Sequence, residues 1–560
     1  MWLYVILSTY TDQVTAKDDK NEYQWNLSGQ LSFNSQWYNI ESTSGLEITP
    51  RQPGDLHRVM LTPTLSYGDF TLPVRIIFSS RQTNRISMQA SHQSFNQFLR
   101  NPLNTFSIAP TYKWARAIIG SQIVGYSSFT TGDTRLFGSA IELTPGKWNF
   151  SAFYGTSQRV IQPDTLLNIP GAYKRNFTAL KLGYGRESQF HLFLNMAMID
   201  DDIASVSITS PTVRPQQGAS VSISGGFPIG KYLLWKNEVA LSFFTRDKNA
   251  EPFQGSNYLS PFSLLYNTNI SSRNDYAWQS SLEYNRGMFD LGVRVTHVGD
   301  GFTAPGFPYM QTDRMDFTIN PRIRLWNNKL NLSGTAGYRK NNLSKTKLRT
   351  SSQLLLALNV NTRISQTIGI NSSFSNFGME TDFLNDTLRL RVISTAFSMS
   401  PWINISVGKG SHQISSTISL NRSEDTNLMT YQQVSRQTFS LFVNHAFAFS
   451  PGPMNTDFSI SYLSNNAQWG ITNFTIQPGV SYRFFNRRLQ TSLRVAYINS
   501  KLSGFSADNA FMFRPGLRGN IGRQWTIRAE SSLRIYRYGS SKPDTGFTEN
   551  IIRTFISYRF

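Results

Sequence analysis

The stretch Ile552-Arg-Thr-Phe-Ile-Ser-Tyr-Arg-Phe560 alternates between two sets of side chains. One face of an extended chain would carry Ile552, Thr554, Ile556, Tyr558 and Phe560, and the other Arg553, Phe555, Ser557 and Arg559. A period of two is typical of a β-strand, because successive side chains point to opposite faces. The stretch therefore predicts a strand that ends on an aromatic residue.

The same alternation recurs along the chain in pairs of runs joined by short turns. Leu489, Thr491, Leu493, Val495 and Tyr497 oppose Arg488, Gln490, Ser492, Arg494 and Ala496, and Ile527, Ala529, Leu533 and Ile535 oppose Thr526, Arg528, Glu530, Ser532 and Arg534. Gly, Asn and Pro supply the turn backbone at positions 67–69, 145–146, 185–187, 228–230, 285–287, 327–328, 486–487 and 522–523. Longer polar stretches separate the pairs at 40–56, 82–103, 159–171, 200–216, 247–273 and 300–312. The pattern predicts tight hairpins that alternate with long loops.

Composition excludes a bundle of membrane helices. Only 39% of the 560 residues are hydrophobic and the mean hydropathy is −0.31. No run approaches the roughly 18 apolar residues of a membrane helix. Aromatic residues reach 13%, as expected where aromatic belts border a transmembrane β-barrel. Several lie near predicted strand ends, namely Trp148, Trp235, Trp525, Tyr497 and Tyr558.

These patterns predict an all-β fold, a transmembrane antiparallel up-and-down β-barrel of about 26 strands, with 22 to 26 as the range. An even number would place both termini in the periplasm of a Gram-negative cell, with the barrel in the outer membrane. Periodicity alone leaves open a soluble secreted all-β protein, in which the apolar faces point inward and extraction needs no detergent. The strand number and the terminal aromatic favour the barrel.

The C-terminal pattern resembles the closing strand of bacterial outer-membrane barrels. The resemblance implies that Ile552, Ile556, Tyr558 and Phe560 form the signal that the barrel-assembly machinery reads. The stretches 110–122, 137–159 and 173–185, followed by Asp200-Asp201-Asp202, resemble a mostly uncharacterised family of large single-chain outer-membrane barrels from Bacteroidota. That resemblance implies membrane location and fold, and it carries over no functional residue.

Two segments are expected. Residues 1–21 form an N-terminal leader or periplasmic segment: Met1–Leu7 is apolar but lacks the basic region of a secretory signal, so an unusual export signal and an ordinary tail both stay open. Residues 22–560 form the barrel. Because alternation begins by Tyr23, no room is left for the N-terminal plug of a TonB-dependent transporter.

Nothing in the sequence predicts an enzyme, a cofactor or a metal site. Cysteine is absent, and no GxSxG-type nucleophile motif accompanies the six histidines. These are His57, His92, His191, His297, His412 and His445. The run Asp200-Asp201-Asp202 offers oxygen ligands for calcium, but without EF-hand spacing we expect a solvated surface loop.

The formal charge of +20 comes from 54 Lys and Arg spread along the chain rather than gathered in one block. This distribution favours a basic lumen or contact with anionic lipid and lipopolysaccharide over nucleic acid. The first functional hypothesis is a diffusion channel narrowed by its own loops, 82–103 and 247–273 above all. Candidate lumen-facing residues that would favour anions are Arg389, Arg391, Arg488, Arg494, Arg528 and Arg534.

The second hypothesis is a non-catalytic structural or accessory subunit of a multiprotein outer-membrane complex for secretion, nutrient uptake or barrel assembly. Lipoproteins or other outer-membrane partners would then occupy its lumen or loops. The absence of a plug, of catalytic residues and of any substrate motif is compatible with this second hypothesis.

Overall fold

The computed structural model describes residues 24–43, 48–52, 54–80, 104–163, 170–206, 213–252, 268–383, 389–449, 452–467, 470–539 and 546–560. Its strands join into a single antiparallel sheet. They are β1 (Asn26–Ser42), β2 (Asp55–Tyr67), β3 (Phe70–Ser79), β4 (Thr105–Ile108), β5 (Thr111–Tyr112), β6 (Ala115–Ile123), β7 (Arg135–Leu143), β8 (Trp148–Gln158), β9 (Lys174–Gly185), β10 (His191–Asp202), β11 (Gln217–Ile229), β12 (Leu233–Thr245), β13 (Ser272–Arg286), β14 (Phe289–Val298), β15 (Arg314–Leu325), β16 (Leu330–Asn341), β17 (Arg349–Arg363), β18 (Ile368–Phe383), β19 (Arg389–Val407), β20 (Gly410–Asn427), β21 (Gln433–Phe449), β22 (Met454–Asn465), β23 (Ile471–Phe484), β24 (Leu489–Leu502), β25 (Asp508–Ile521), β26 (Trp525–Arg537) and β27 (Gly546–Arg559). A 3-10 helix (Ile203–Ser205) follows β10. Among the described residues, no helix has the length and apolar character needed to span a membrane.

The sheet closes on itself. β1 pairs with β2 on one side and with β27 on the other. At the end of that last pairing, the Phe560 amide donates to the Gly29 carbonyl at 3.1 Å and the Gly29 amide donates to the Phe560 carbonyl at 2.9 Å. β4 and β5 both lie between β3 and β6, so they are two halves of one broken strand. The cylinder therefore has 26 strand positions, which confirms the predicted fold and strand number.

All eight short turns predicted from the sequence join consecutive strands. Several adopt the left-handed backbone that such turns require, with φ of 54° at Gly68, 66° at Gly146 and 53° at Asn486. These turns lie at one end of the cylinder, the short-turn end, and the longer connections lie at the other, the long-loop end. The first residue of β1 and the last residue of β27 are both at the short-turn end.

The two faces of the wall differ in polarity, as the alternation predicts. On β24 the apolar set that contains Leu493 points outward, and the set that contains Ser492 and Arg494 points into the lumen. Aromatic residues gather on the outer face at the short-turn end, where Trp148 contacts Tyr184 with ring centroids 5.2 Å apart. An outward apolar band bordered by aromatic rings is the surface that a lipid bilayer covers.

Four prolines mark strands that run toward the short turns. Pro63, Pro321, Pro478 and Pro515 all lie on the outer face of such strands, and the residue pairing with the next strand is interrupted at each of them. Pro401 on β19 repeats the arrangement. Proline has no amide hydrogen to donate, so one step of the ladder is lost wherever it occurs.

The outward direction of Leu493 can be tested with a matched pair of arginine substitutions. Leu493→Arg places a cation in the middle of the outer apolar band and should destabilise the barrel by about 2–4 kcal/mol. Asn359→Arg adds the same charge to the inner face of β17, in a cleft that Glu283 and Asp290 also line, and should change stability little. Urea unfolding in lipid vesicles measures both, and equal losses for the two variants would contradict the assignment of the faces.

Candidate functional site

One sector of the inner wall is apolar instead of polar. Phe153 on β8 and Phe177 on β9 point into the barrel, are 1% and 0% exposed, and meet edge to face with ring centroids 6.0 Å apart. The same cluster includes Leu136 on β7 and Ile199 on β10. Since water would make contact with these side chains in an open pore, this sector requires a cover.

The cover is the connection between β6 and β7, which folds into the lumen. We call residues 124–134 the inner loop. Val124 is part of the apolar cluster and Tyr126 packs against it. The loop holds its own shape, because the Thr131 hydroxyl accepts from the Tyr126 amide at 2.7 Å and the Gly132 amide donates to the Ser127 carbonyl at 2.9 Å. Such local bonds satisfy backbone groups that have no strand partner.

The inner loop reaches the inner face of β11–β14, several strands away from its own. Phe129 is 2% exposed and packs with Ala240, Ala277, Val298 and Phe302. Burial of such a ring contributes about 1.5–3 kcal/mol. A polar contact accompanies it: the Ser127 hydroxyl donates to Glu238 on β12 and accepts from Ser222 on β11. The loop is thus anchored at both ends of its span.

A second connection, residues 299–313 between β14 and β15, lies on the inner loop and is called here the cap loop. The Gly306 amide donates to the Thr130 carbonyl at 2.9 Å. A Cβ at Gly306 would lie 1.7 Å from the Thr131 carbonyl oxygen, so only glycine fits there. The Thr303 amide in turn donates to Ser242 of β12 at 3.1 Å. The two loops and the wall therefore form one packed unit.

Asp313 fixes the far end of the cap loop. Burial acts to raise the pKa of its carboxyl, but hydrogen bonds from the amide and hydroxyl of Ser344 and the charge of Lys347 outweigh burial and lower that pKa. A lowered pKa means that this tie stabilises the folded state above the carboxyl's ordinary pKa and weakens as the pH falls through the folded value. At neutral pH the tie is intact.

Several cations around the covered sector have carboxylate partners. Arg175 binds Asp201 at 2.7 Å, Lys236 binds Glu283 at 2.8 Å, and Arg324 binds Asp290 at 2.5 Å. Beside the inner loop, a cavity of about 850 Å³ is lined by Arg314, Asp316 and Arg339 among others. Asp316 accepts from Arg339 at 2.6 Å and from Arg314 at 2.8 Å. This side of the lumen is close to charge balance.

The opposite wall is basic. Six arginines on the inner faces of β24–β27 and β2 form what we call the arginine strip: Arg494, Arg514, Arg518, Arg528, Arg553 and Arg58. Among the described residues, Arg514, Arg518 and Arg58 make no ion pair. Of the arginines proposed from the sequence, Arg494, Arg528 and Arg534 have the inward register, and Arg488 lies in the turn before β24.

Arg389 and Arg391 do not face the lumen, so that expectation is corrected. They share the outer face of β19 with Ile393 and Phe397, and Arg391 is paired in register with Glu380 of β18. Both bind Glu380, at 2.9 Å for Arg391. They lie at the long-loop end, where a strand that projects beyond the apolar band can carry charge outward.

The aspartate run is also corrected. Residues 200–202 end strand β10 rather than forming a surface loop, and their carboxylates have three separate partners. Asp200 binds Lys248 at 2.5 Å, Asp201 binds Arg175, and Asp202 accepts from the Ala204 amide at 3.1 Å. Within the described ranges, no three His, Cys, Asp or Glu side chains gather as a metal ion would require.

The histidines that the structure describes make structural contacts. His412 and His445 point outward from β20 and β21 with ring nitrogens 3.1 Å apart. His297, also outward, stacks on Tyr276 at 5.3 Å. His92 lies outside the described residues.

The prediction that loops 82–103 and 247–273 enter the lumen is not tested by the described residues. Residues 82–103, the central part 253–267 of the second predicted loop, and the predicted leader 1–21 lie outside the described residues. The inner loop is shorter than either and was missed. A signal for it existed in β10, whose run Leu192-Phe-Leu-Asn-Met-Ala-Met-Ile199 is apolar on both faces except at Asn195. A strand of that kind is buried on both faces.

No protein-family model and no curated protein sequence matches this chain. Among solved structures, the P pilus usher (PapC) translocation pore aligns with 96% of this chain and 99% of its own, at 9% identity and a TM-score of 0.39. The E. coli P pilus tip assembly intermediate PapC-PapD-PapK-PapG aligns over 98% of this chain and 63% of that chain, at 10% identity and a TM-score of 0.43. The outer membrane protein OpdK of Pseudomonas aeruginosa covers 62% of this chain and 93% of its own, at 10% identity and a TM-score of 0.28. These are likenesses of fold.

Truncation of the Phe129 side chain tests whether its packing against the barrel wall anchors the inner loop. Phe129→Ala should cost about 3–5 kcal/mol of packing, free the inner loop from β12–β14 and increase single-channel conductance in planar bilayers. Phe458→Ala removes the same ring from the outer face of β22 and serves as control. An unchanged conductance in Phe129→Ala would mean that the inner loop does not restrict the path of ions.

Proposed function

We propose that this chain is a diffusion channel of the Gram-negative outer membrane, narrowed by its inner loop and selective for anions. The observation that carries the proposal is the position of the inner loop. It lies inside a closed cylinder, anchored by Phe129 and Ser127, and leaves a lumen whose free wall bears the arginine strip. An open barrel of 26 positions would be a wide hole, and an inward loop narrows it.

Charge distribution supports the anion preference. Five cations on the covered side, Arg175, Lys236, Arg314, Arg324 and Arg339, have carboxylate partners, whereas the arginine strip carries six arginines with two neighbouring carboxylates, Glu530 and Asp457. Rings of fixed cations in a pore favour the passage of anions and oppose that of cations. No catalytic group is required for this activity.

The proposed orientation places the long loops outside the cell and both termini in the periplasm, in line with the usual asymmetry of outer-membrane barrels. In that orientation the outward Arg389 and Arg391 lie at the level of the outer-leaflet headgroups, where lipopolysaccharide phosphates would meet them. Two expectations from the sequence stay predictions. One is that the barrel-assembly machinery inserts the chain by reading Ile552, Ile556, Tyr558 and Phe560; the other is kinship with the Bacteroidota family.

Selectivity is the direct test. The purified protein is placed in planar bilayers under a potassium chloride gradient. It should conduct, and its reversal potential should have the same sign as the chloride equilibrium potential. The double variant Arg528→Glu/Arg553→Glu should shift the reversal potential toward the potassium equilibrium potential, because two lumenal cations become anions. Arg389→Glu/Arg391→Glu makes the same change on the outer face and should shift it little. A closed barrel, or one that prefers cations before mutation, would refute the proposal and favour the accessory-subunit hypothesis.

A further inference from the structure

The arginine strip contains cations placed directly against one another. In the register of β24 and β25, Arg494 is opposite Arg514, and in that of β25 and β26, Arg518 is opposite Arg528. Like charges directly opposite on neighbouring strands destabilise a sheet. On β14 and β15 the lumen instead pairs a cation with a carboxylate, as with Arg324 and Asp290. Repulsion between the arginines of the strip therefore destabilises the folded barrel, and a bound anion would reduce that repulsion.

The arginines of the strip line two neighbouring clefts, the first of about 380 Å³ and the second of about 450 Å³. Both clefts are lined by Arg528 and Glu530. Together they are lined by six arginines and one carboxylate, Glu530. One further carboxylate, Asp457, binds Arg494 at 3.1 Å. The clefts form a continuous surface with a clear excess of positive charge.

The length of the strip points to an extended ligand. It crosses six adjacent strands, β24 to β27, β1 and β2, and at about 4.8 Å per strand spacing this is roughly 24 Å. Five of the six strands contribute arginine, so a cation recurs about every 5 Å. A single small ion can use only one or two of these positions at a time. A chain with one anionic group per repeat of similar length can use them all.

Uncharged hydrogen-bonding groups alternate with the cations. Gln490 and Ser492 line the first cleft, and Asn34 and Gln36 line the second. Some arginines are already positioned, since the Arg553 Nε donates to Gln36 at 3.0 Å and the Arg528 guanidinium lies 5.5 Å from the Phe555 ring centroid. Guanidinium forks match carboxylates, and amides and hydroxyls match neutral hydroxyl groups.

From this combination we infer that the arginine strip is a binding site for a chain of acidic sugars, one carboxylate per ring. The inference rests on the proposed channel function and names its substrate class. A polyphosphate would satisfy the cations but would leave the interleaved amides and hydroxyls without hydroxyl partners, so the acidic saccharide is the better match.

The test uses penta-galacturonate, with maltopentaose as the neutral chain of equal ring number and tripolyphosphate as the polyanion without hydroxyl groups. Binding is measured by calorimetry on the intact protein in detergent, and current block is measured in planar bilayers. Penta-galacturonate should bind and interrupt the current. Arg514→Gln/Arg518→Gln should raise both the dissociation constant and the half-blocking concentration by about tenfold or more, because two charge-assisted contacts are lost.

Arg322→Gln/Arg363→Gln is the matched control, because both residues are inward arginines outside the strip. It removes the same charge from the lumen and should change binding less than about twofold if contacts, rather than net charge, hold the ligand. An equal loss in the control would overturn the inference. So would tighter binding of tripolyphosphate, or equal binding of maltopentaose.

The two proposals fail separately. A channel that selects chloride but binds no penta-galacturonate by calorimetry would refute the saccharide site and leave the channel standing. A barrel that binds penta-galacturonate but conducts no ions would refute the channel, and with it the inferred role of the ligand as a transported substrate.

Discussion

The closed ladder of backbone hydrogen bonds is the constraint on which this structure depends. In hydrocarbon no water is present to satisfy an exposed amide or carbonyl, so a sheet can cross a membrane only if it has no free edge. The pairing of β1 with β27, completed by the two bonds between Gly29 and Phe560, removes that edge. The closed cylinder in turn defines an inside, and every charged or apolar group that points inward must find water, a counter-charge or a cover.

The lumen solves this requirement differently on its two sides. On β7–β10 the inward side chains are apolar, and the inner loop covers them at the cost of ordering its own backbone. On β24–β27 and β2 they are basic and stay in contact with solvent. Among the described residues, one side of the lumen is filled and dry, whereas the other side presents arginines that line two clefts.

Much of the fold could be predicted from the sequence because its signals are local. Alternation fixes which side chains share a face, and glycine and asparagine at the turns fix where hairpins reverse, so the strand number and the outward Leu493 followed directly. Where alternation is blurred, prediction failed. In the run Arg389-Leu-Arg-Val-Ile393 both faces carry apolar residues, and the long strand β19 projects beyond the apolar band, so polarity did not distinguish outside from inside.

The candidate site was harder to predict, because the direction of a loop depends on contacts distant in sequence. The inner loop reads Ser127-Ser-Phe-Thr-Thr-Gly-Asp133, an ordinary polar turn, and nothing in it reveals that Phe129 meets Phe302. The opposed pairs Arg494–Arg514 and Arg518–Arg528 likewise arise from the register between strands, which periodicity within each strand does not contain.

The anchoring of the inner loop also bears on the mechanics of so wide a cylinder. A single curved sheet of 26 positions resists flattening only weakly, since bending spreads over many hydrogen-bonded neighbours. The loop leaves the wall between β6 and β7 and is fastened again at β12–β14, so it acts as an internal strut across that arc. The braced arc should keep its curvature under lateral pressure from the bilayer, and flattening would concentrate in β16–β23, to which no loop among the described residues is fastened across the lumen.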